Sequence, residues 1–233
     1  MVEIGFMQGR LSALVDGRIQ AFPWAHWREE FPLAQLLGLS VMEWTLDQDR
    51  LYENPLLTAA GQAEIRQLCA QHGLAIPSLT GDCFMQAPFW KADGETQAAL
   101  LRDFEAIAEA CVEVGIHTIV VPLVDNGRLD DRAQEDLLVA ELSARAAFLA
   151  TRGLRVVFES DFAPAELARF IARRNMIRFS SCWVMESAIS WASISGLRTS
   201  SMLTATGTPK RRVSSAFRFS MSSPFLPMTT PGR

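Results

Sequence analysis

What this sequence has little of narrows it first. Of its 233 residues only three are histidine and four are cysteine. Cys69, Cys83, Cys111 and Cys182 lie far apart without a C-x-x-C pair. That spacing suits neither a zinc site nor a disulfide framework, and it predicts free thiols in a reducing cytoplasm. No apolar run approaches the ~20 residues that a membrane span requires. The opening Met-Val-Glu-Ile-Gly enters a strand pattern directly, with no basic or apolar leader, so no signal peptide is expected. A glycine-rich phosphate loop is missing too: Met7-Gln8-Gly9-Arg10-Leu11 is neither G-x-G-x-x-G nor a Walker motif.

Two absences are local. Residues 173–233 contain no Asp and no His, and they hold 9 of the basic residues against a single acid, Glu186. Residues 1–172 are the reverse, with 13 basic residues against 25 acidic ones. Serine shifts at the same point, from 5 in the first 172 positions to 13 in the last 61. We therefore divide the chain at about 172 and expect an atypical, poorly ordered Ser- and Arg-rich region after it. An out-of-frame translation beginning near codon 173 would produce such a break.

What is there, in the first 172 residues, is a rhythm. Apolar strand-like runs at 2–6, 40–44, 74–79, 118–122 and 155–159 each lead through a loop into a helical stripe. The helices are expected over 28–37, 58–71, 95–114, 130–151 and 164–172. Thr118-Ile119-Val120-Val121-Pro122 is the unbroken β-branched kind of strand that parallel sheets bury. Tandem βα units with right-handed crossovers give a parallel sheet covered by helices. A (β/α)8 barrel and a doubly wound sheet compete. The absent nucleotide fingerprint and the long loops after strands favour an α/β fold of partial TIM-barrel type, with about five βα units and an irregular tail.

On a barrel, chemistry sits at strand C-termini and in the loops after them. That selects Gln8 and Arg10 after the first strand, His26 in the same loop, Glu43 on the second, Asp82 and Cys83 after the third, Asp125 and Asn126 after the fourth, and Glu159 with Asp161 after the fifth. A carboxylate on a strand tip can bind a divalent metal or move a proton. Each has a plainer alternative: Glu159 as a hydrogen-bonded rim carboxylate, Glu43 buried by Trp44 against Arg10 or Arg28, His26 as a structural histidine. Cys83 reads as a small buried residue rather than a nucleophile, and His72 and His117 fall on the opposite face. Trp24, Trp27, Trp44, Phe84 and Trp90 could offer faces to a sugar or simply pack the loops.

Ile4-Gly5-Phe6-Met7-Gln8-Gly9-Arg10-Leu11-Ser12, Gln20-Ala21-Phe22-Pro23-Trp24 and Met42-Glu43-Trp44-Thr45 resemble the opening of sugar phosphate isomerase/epimerase proteins. These are xylose isomerase-like TIM barrels, related to the AP endonuclease family 2 enzymes. Ser78-Leu79-Thr80-Gly81-Asp82-Cys83-Phe84-Met85 and Val156-Val157-Phe158-Glu159 fit the same pattern, so the resemblance spans about residues 2–172.

The resemblance implies metal-assisted proton transfer next to a carbonyl, with manganese, magnesium, cobalt or zinc held by a Glu, an Asp, a His and a second Glu. Glu159 would be the first ligand and a catalytic group. Gln8, Arg10, His26, Glu43 and Asp82 would contact a small sugar or sugar phosphate. The Asp and His have no counterpart after residue 172, so impaired turnover is expected. An inactive sugar-binding remnant is the alternative. A metal-dependent nuclease ranks below both, because residues 1–172 are too acidic to suit a phosphate backbone. Neither nucleic acid nor membrane is expected as a partner, the location is expected to be cytoplasmic, and self-association is left open.

Overall fold

The computed structural model describes residues 5–18, 21–174 and 184–186. Six parallel strands form one sheet in sequence order: β1 Gly5–Met7, β2 Val41–Thr45, β3 Ala75–Thr80, β4 Thr118–Leu123, β5 Arg155–Ser160 and β6 Val184–Glu186. Sequential order with every neighbour parallel is the arc of a barrel, not the reversing order of a doubly wound sheet. Between the strands run α1 Glu30–Leu36, α2 Ala59–His72, α3 Asp82–Gln86, α4 Gly94–Val114, α5 Arg132–Ala144, α6 Ala146–Thr151 and α7 Pro164–Arg174.

Local chemistry sets the element ends. Thr58 caps α2 by accepting the Gly61 N–H at 3.1 Å, and Gly73 stops it at φ 64° in the left-handed region, where a Cβ is costly. The expected single helix over 130–151 is two. Arg145 interrupts it with non-helical backbone (φ −95°, ψ 2°) while pairing with Glu105 and Glu141 at 2.9 and 2.6 Å. The expected first helix starts later, at Glu30, and a short helix, α3, occupies what reads as loop after β3. The expected fifth helix, ending at 172, continues to Arg174. Arg173 is ion-paired with Glu135 and Asp136 on α5.

The main core lies between sheet and helices. From β2 it takes Met42 and Trp44, which alternate with Val41, Glu43 and Thr45 on the barrel-lining side. Trp27, Phe31, Trp44 and Phe22 pack ring against ring, with Trp27 and Trp44 centroids 5.8 Å apart. Trp27, Trp44, Phe84 and Trp90 are buried in it, so four of the five aromatics considered for sugar stacking serve this core. On the lining side the β2–β3 register shifts between Val41 and Glu43: Val41 pairs with Ala75, but Glu43 pairs with Ser78. Among the described residues, no helix is long and apolar enough to cross a membrane.

Candidate active site

Glu43 faces the inside of the arc. Its Oε2 accepts from Ser78 Oγ at 2.7 Å and its Oε1 from Thr80 Oγ1 at 2.5 Å, both from β3. Of the two arginines considered as its partners, Arg28 pairs instead with Glu64 on the outer surface. Gln8 follows β1 and is 1% exposed. Its N–H donates to Glu43 O at 2.9 Å, its Oε1 accepts the Thr45 N–H at 3.2 Å, and its carbonyl accepts Thr45 Oγ1 at 3.3 Å. The Gln8 Nε2 is buried without a hydrogen-bond partner among the described residues.

Asp82 is the first residue of α3, directly past β3, and is also buried. Burial pushes its carboxyl from 3.8 up to about 7, assisted by Asp47, Glu159 and Glu43 and opposed by Arg10. Glu159, on β5 beside Pro122 of β4, is likewise pushed up, first by burial and then by Glu43 and Asp125. Arg10, half-buried, is lowered by burial and raised by Asp82. Gln8, Arg10, Glu43, Asp82 and Glu159 thus gather at one end of the sheet. His26 is set apart from them: its Nδ1 lies 3.0 Å from Glu29 Oε1 on the approach to α1. Asp125 sits at φ 48° and acts on Glu159, while Asp161 pairs with Arg128. Cys83 is buried, as expected. His72 meets Gln35, and His117 meets Arg155 and Thr118 at the opposite end.

Of the buried acids that went unforeseen, two organise the loops at this end of the sheet. Asp47 follows β2 and receives the Phe22 N–H at 2.8 Å and Gln86 Nε2 at 2.8 Å, joining three loops. Glu30 gathers the first loop onto α1, accepting from the N–H groups of Gly9, Leu11 and Ser12 and from Ser12 Oγ. Either could have been suspected only from an acid next to apolar neighbours, a signal many solvated acids share.

Chemically, this is a cluster of strand-tip carboxylates in which one group titrates near neutrality, as proton transfer at neutral pH requires. A metal fits it less well. Among the described residues no group of three or more His, Cys, Asp or Glu side chains is arranged to hold an ion. Of the four ligands the resemblance implies, these residues supply Glu159.

The sequential parallel arc, with helices between its strands and carboxylates at its C-terminal end, defines an α/β fold of TIM-barrel type. The chain belongs to the xylose isomerase-like TIM barrel family, whose model matches residues 31–176. Its fold is that of a D-psicose 3-epimerase from Clostridium cellulolyticum H10 solved with D-tagatose (13% identity, TM-score 0.57, 79% of this chain and 63% of that one). A xylose isomerase-like TIM barrel protein from Mycobacterium smegmatis in complex with magnesium matches at 17% identity and TM-score 0.53, over 79% of this chain and 64% of that one. The 3-keto-D-glucoside 4-epimerase YcjR from E. coli matches at 17% identity and TM-score 0.52, over 79% and 67%. The chain spans 26% of a fusion of such a barrel with 4-hydroxyphenylpyruvate dioxygenase. Comparison with curated protein sequences gives no match.

Proposed function

We propose that this chain carries the sugar-handling end of a sugar isomerase or epimerase, with proton transfer next to the carbonyl impaired. The carrying observation is the convergence of Glu43, Asp82 and Glu159, with Asp82 titrating at about 7. In this reading Glu159 takes and returns the proton at the carbon next to the carbonyl. Gln8, through its unpartnered Nε2, together with Arg10, Glu43 and Asp82, binds sugar oxygens, and His26 stands at the rim. D-Tagatose in the C. cellulolyticum epimerase supports a small sugar as the ligand class.

A bound divalent ion, whether manganese, magnesium, cobalt or zinc, would stabilise charge on the carbonyl oxygen. The resemblance asks for an Asp after the sixth strand and a His after the seventh, and residues 173–233 contain neither. That is the reason for proposing impairment. Nucleic acid is a poor partner for a mouth in which Glu43, Asp47, Asp82 and Glu159 outnumber Arg10, because phosphates need cations to neutralise them.

The test is titration calorimetry of the full chain with D-tagatose and, separately, with manganese, alongside proton NMR of the sugar in D2O. Sugar binding that Glu159→Gln weakens, with no stoichiometric micromolar metal binding and slow exchange next to the carbonyl, is expected. Absence of sugar binding would sink the reading. One-to-one micromolar manganese binding with fast exchange would overturn the impairment.

A further inference from the structure

Beside the carboxylate cluster lies a second concavity that none of Glu43, Asp82 and Glu159 lines. It is a cleft of about 220 Å³ between the first loop and the loop after β2, walled by Phe22, Trp24, Asp47, Asp49, Arg50 and Gln86. That is about seven times the ~30 Å³ share of one liquid water, so the space suits a ring rather than one or two solvent molecules.

The walls are stiff. The Trp24 indole meets Phe22 edge-on, with centroids 4.9 Å apart, and the Arg50 guanidinium lies over its ring, 3.9 Å from the centroid. Glu53 fixes that guanidinium through Nε and Nη2 at 2.9 and 2.6 Å. Gln86 is held by Asp47 and by the Gln48 N–H. Arg50 and Asp16 both adopt left-handed backbone, φ 55° and 51°, in the two loops that line the cleft. Non-glycine residues in that region are uncommon, and they concentrate at ligand sites.

The charges select the ligand. Each cation on the wall already has a carboxylate, Arg18 with Asp16 at 3.6 Å and Arg50 with Glu53. A phosphate would find no unspent positive charge and would meet Asp47 and Asp49. An uncharged polyol has the better fit: planar carboxylate, amide and guanidinium groups bond its hydroxyls, and aromatic carbon borders its C–H faces.

The cleft adjoins the carboxylate cluster through Asp47, which lines it and whose charge acts on Asp82. The Cys83 N–H bonds Leu46 O at 2.9 Å, tying the residue after Asp82 to the residue before Asp47. None of Glu43, Asp82 and Glu159 lines the cleft, so a ligand would touch both regions only by extending past Asp47. We propose that this cleft is a subsite for the outer ring of a glycosidically extended sugar whose ketose unit lies over the strand-tip carboxylates. The proposal rests on the sugar reading of the mouth given above.

The test compares two probes on the full chain by calorimetry, D-fructose and the glucosyl-fructose disaccharide isomaltulose. Isomaltulose is expected to bind about tenfold or more tighter, with saturation transfer to its glucosyl protons. In Arg50→Asn, which tolerates left-handed backbone, and in Asp49→Ala, the affinity ratio should fall to about one. Equal affinities in the parent chain would overturn the subsite while leaving the sugar reading standing, as would a ratio that survives both substitutions. Failure of both sugars to bind would remove the sugar reading and the subsite with it.

Discussion

Glu30 receives the Gly9 N–H through both carboxylate oxygens, at 3.0 and 2.9 Å, from 21 residues away. With Leu11 and Ser12 on the same carboxylate, the backbone that carries Arg10 is wrapped around a group belonging to α1. Glu30→Gln puts an NH2 where only acceptors fit, leaving buried N–H groups unpaired. Hydrogen bonds to a charged group are each worth ~1.5–3 kcal/mol, so a loss of about 3 kcal/mol is expected. Urea unfolding of the variant would measure it.

Asp82 gives the fold a pH dependence of definite sign. In the unfolded chain it titrates near 3.8, and in the folded chain at about 7, because burial disfavours the anion. Between those values the folded state holds the proton more tightly. Stability from this group is therefore complete below about pH 4 and is lost as pH rises through 7. The full swing is about 4 kcal/mol. Melting temperature should fall from pH 5 to pH 8, and Asp82→Asn should flatten much of that slope. A remainder is expected from Glu159 and Glu30, whose carboxyls burial also pushes up.

Glu135, buried on α5, holds α7 through Arg169 at 2.9 Å and through Arg173. Burial raises its carboxyl, but the bonds from Arg173 and Arg169 lower it further, leaving it below the usual range. Removing one partner of a wholly buried pair costs ~3–5 kcal/mol; here the arginines keep part of their surface in water, and about 2 kcal/mol is expected for Glu135→Ala. Hydrogen exchange should rise across 164–174 more than elsewhere.

Gly61 lies inside α2, where alanine would ordinarily stabilise by about 1 kcal/mol. A Cβ there would come within 2.2 Å of Pro55 O and 2.5 Å of Pro55 Cα, both backbone atoms that cannot swing away. Gly61→Ala is expected to destabilise by about 2 kcal/mol, inverting the propensity rule. Thermal melts against an exposed Gly73→Ala variant, which pays for left-handed backbone without a clash, separate the two effects.

The strands were legible in the sequence because parallel strands are buried on both faces, and Thr118–Leu123 or Arg155–Ser160 can be little else. Helix α3 was not legible: five residues starting at Asp82 carry no stripe, and the turn forms because Cys83 N–H bonds Leu46 O across the loop. The break at Arg145 was hidden for a similar reason, since the residues on both sides are good helix formers and the interruption accompanies pairing with Glu105 on another helix. Position along each strand sufficed to place Glu43, Asp82 and Glu159 together at one end of the sheet. Asp47 and Glu30 could not be found that way, because their partners are backbone groups 25 and 18 to 21 residues distant. His26 lies in the expected loop, with its Nδ1 3.0 Å from Glu29 Oε1, a contact between near neighbours that the sequence does not advertise.

The register shift in β3 has a consequence for how this barrel can change. Counting from the Val41–Ala75 pair, an unshifted ladder would set Glu43 against Pro77 and turn Leu79 inward. The actual pairing passes over one position, so Ser78 and Thr80 present their hydroxyls to Glu43. Pro77, a residue with no N–H to lose, lies at the position passed over: removing it would straighten the ladder and still leave Ser78 and Thr80 opposite Glu43 and Thr45. The polar vestibule therefore resides in the two hydroxyl residues themselves, and only their own substitution turns it greasy.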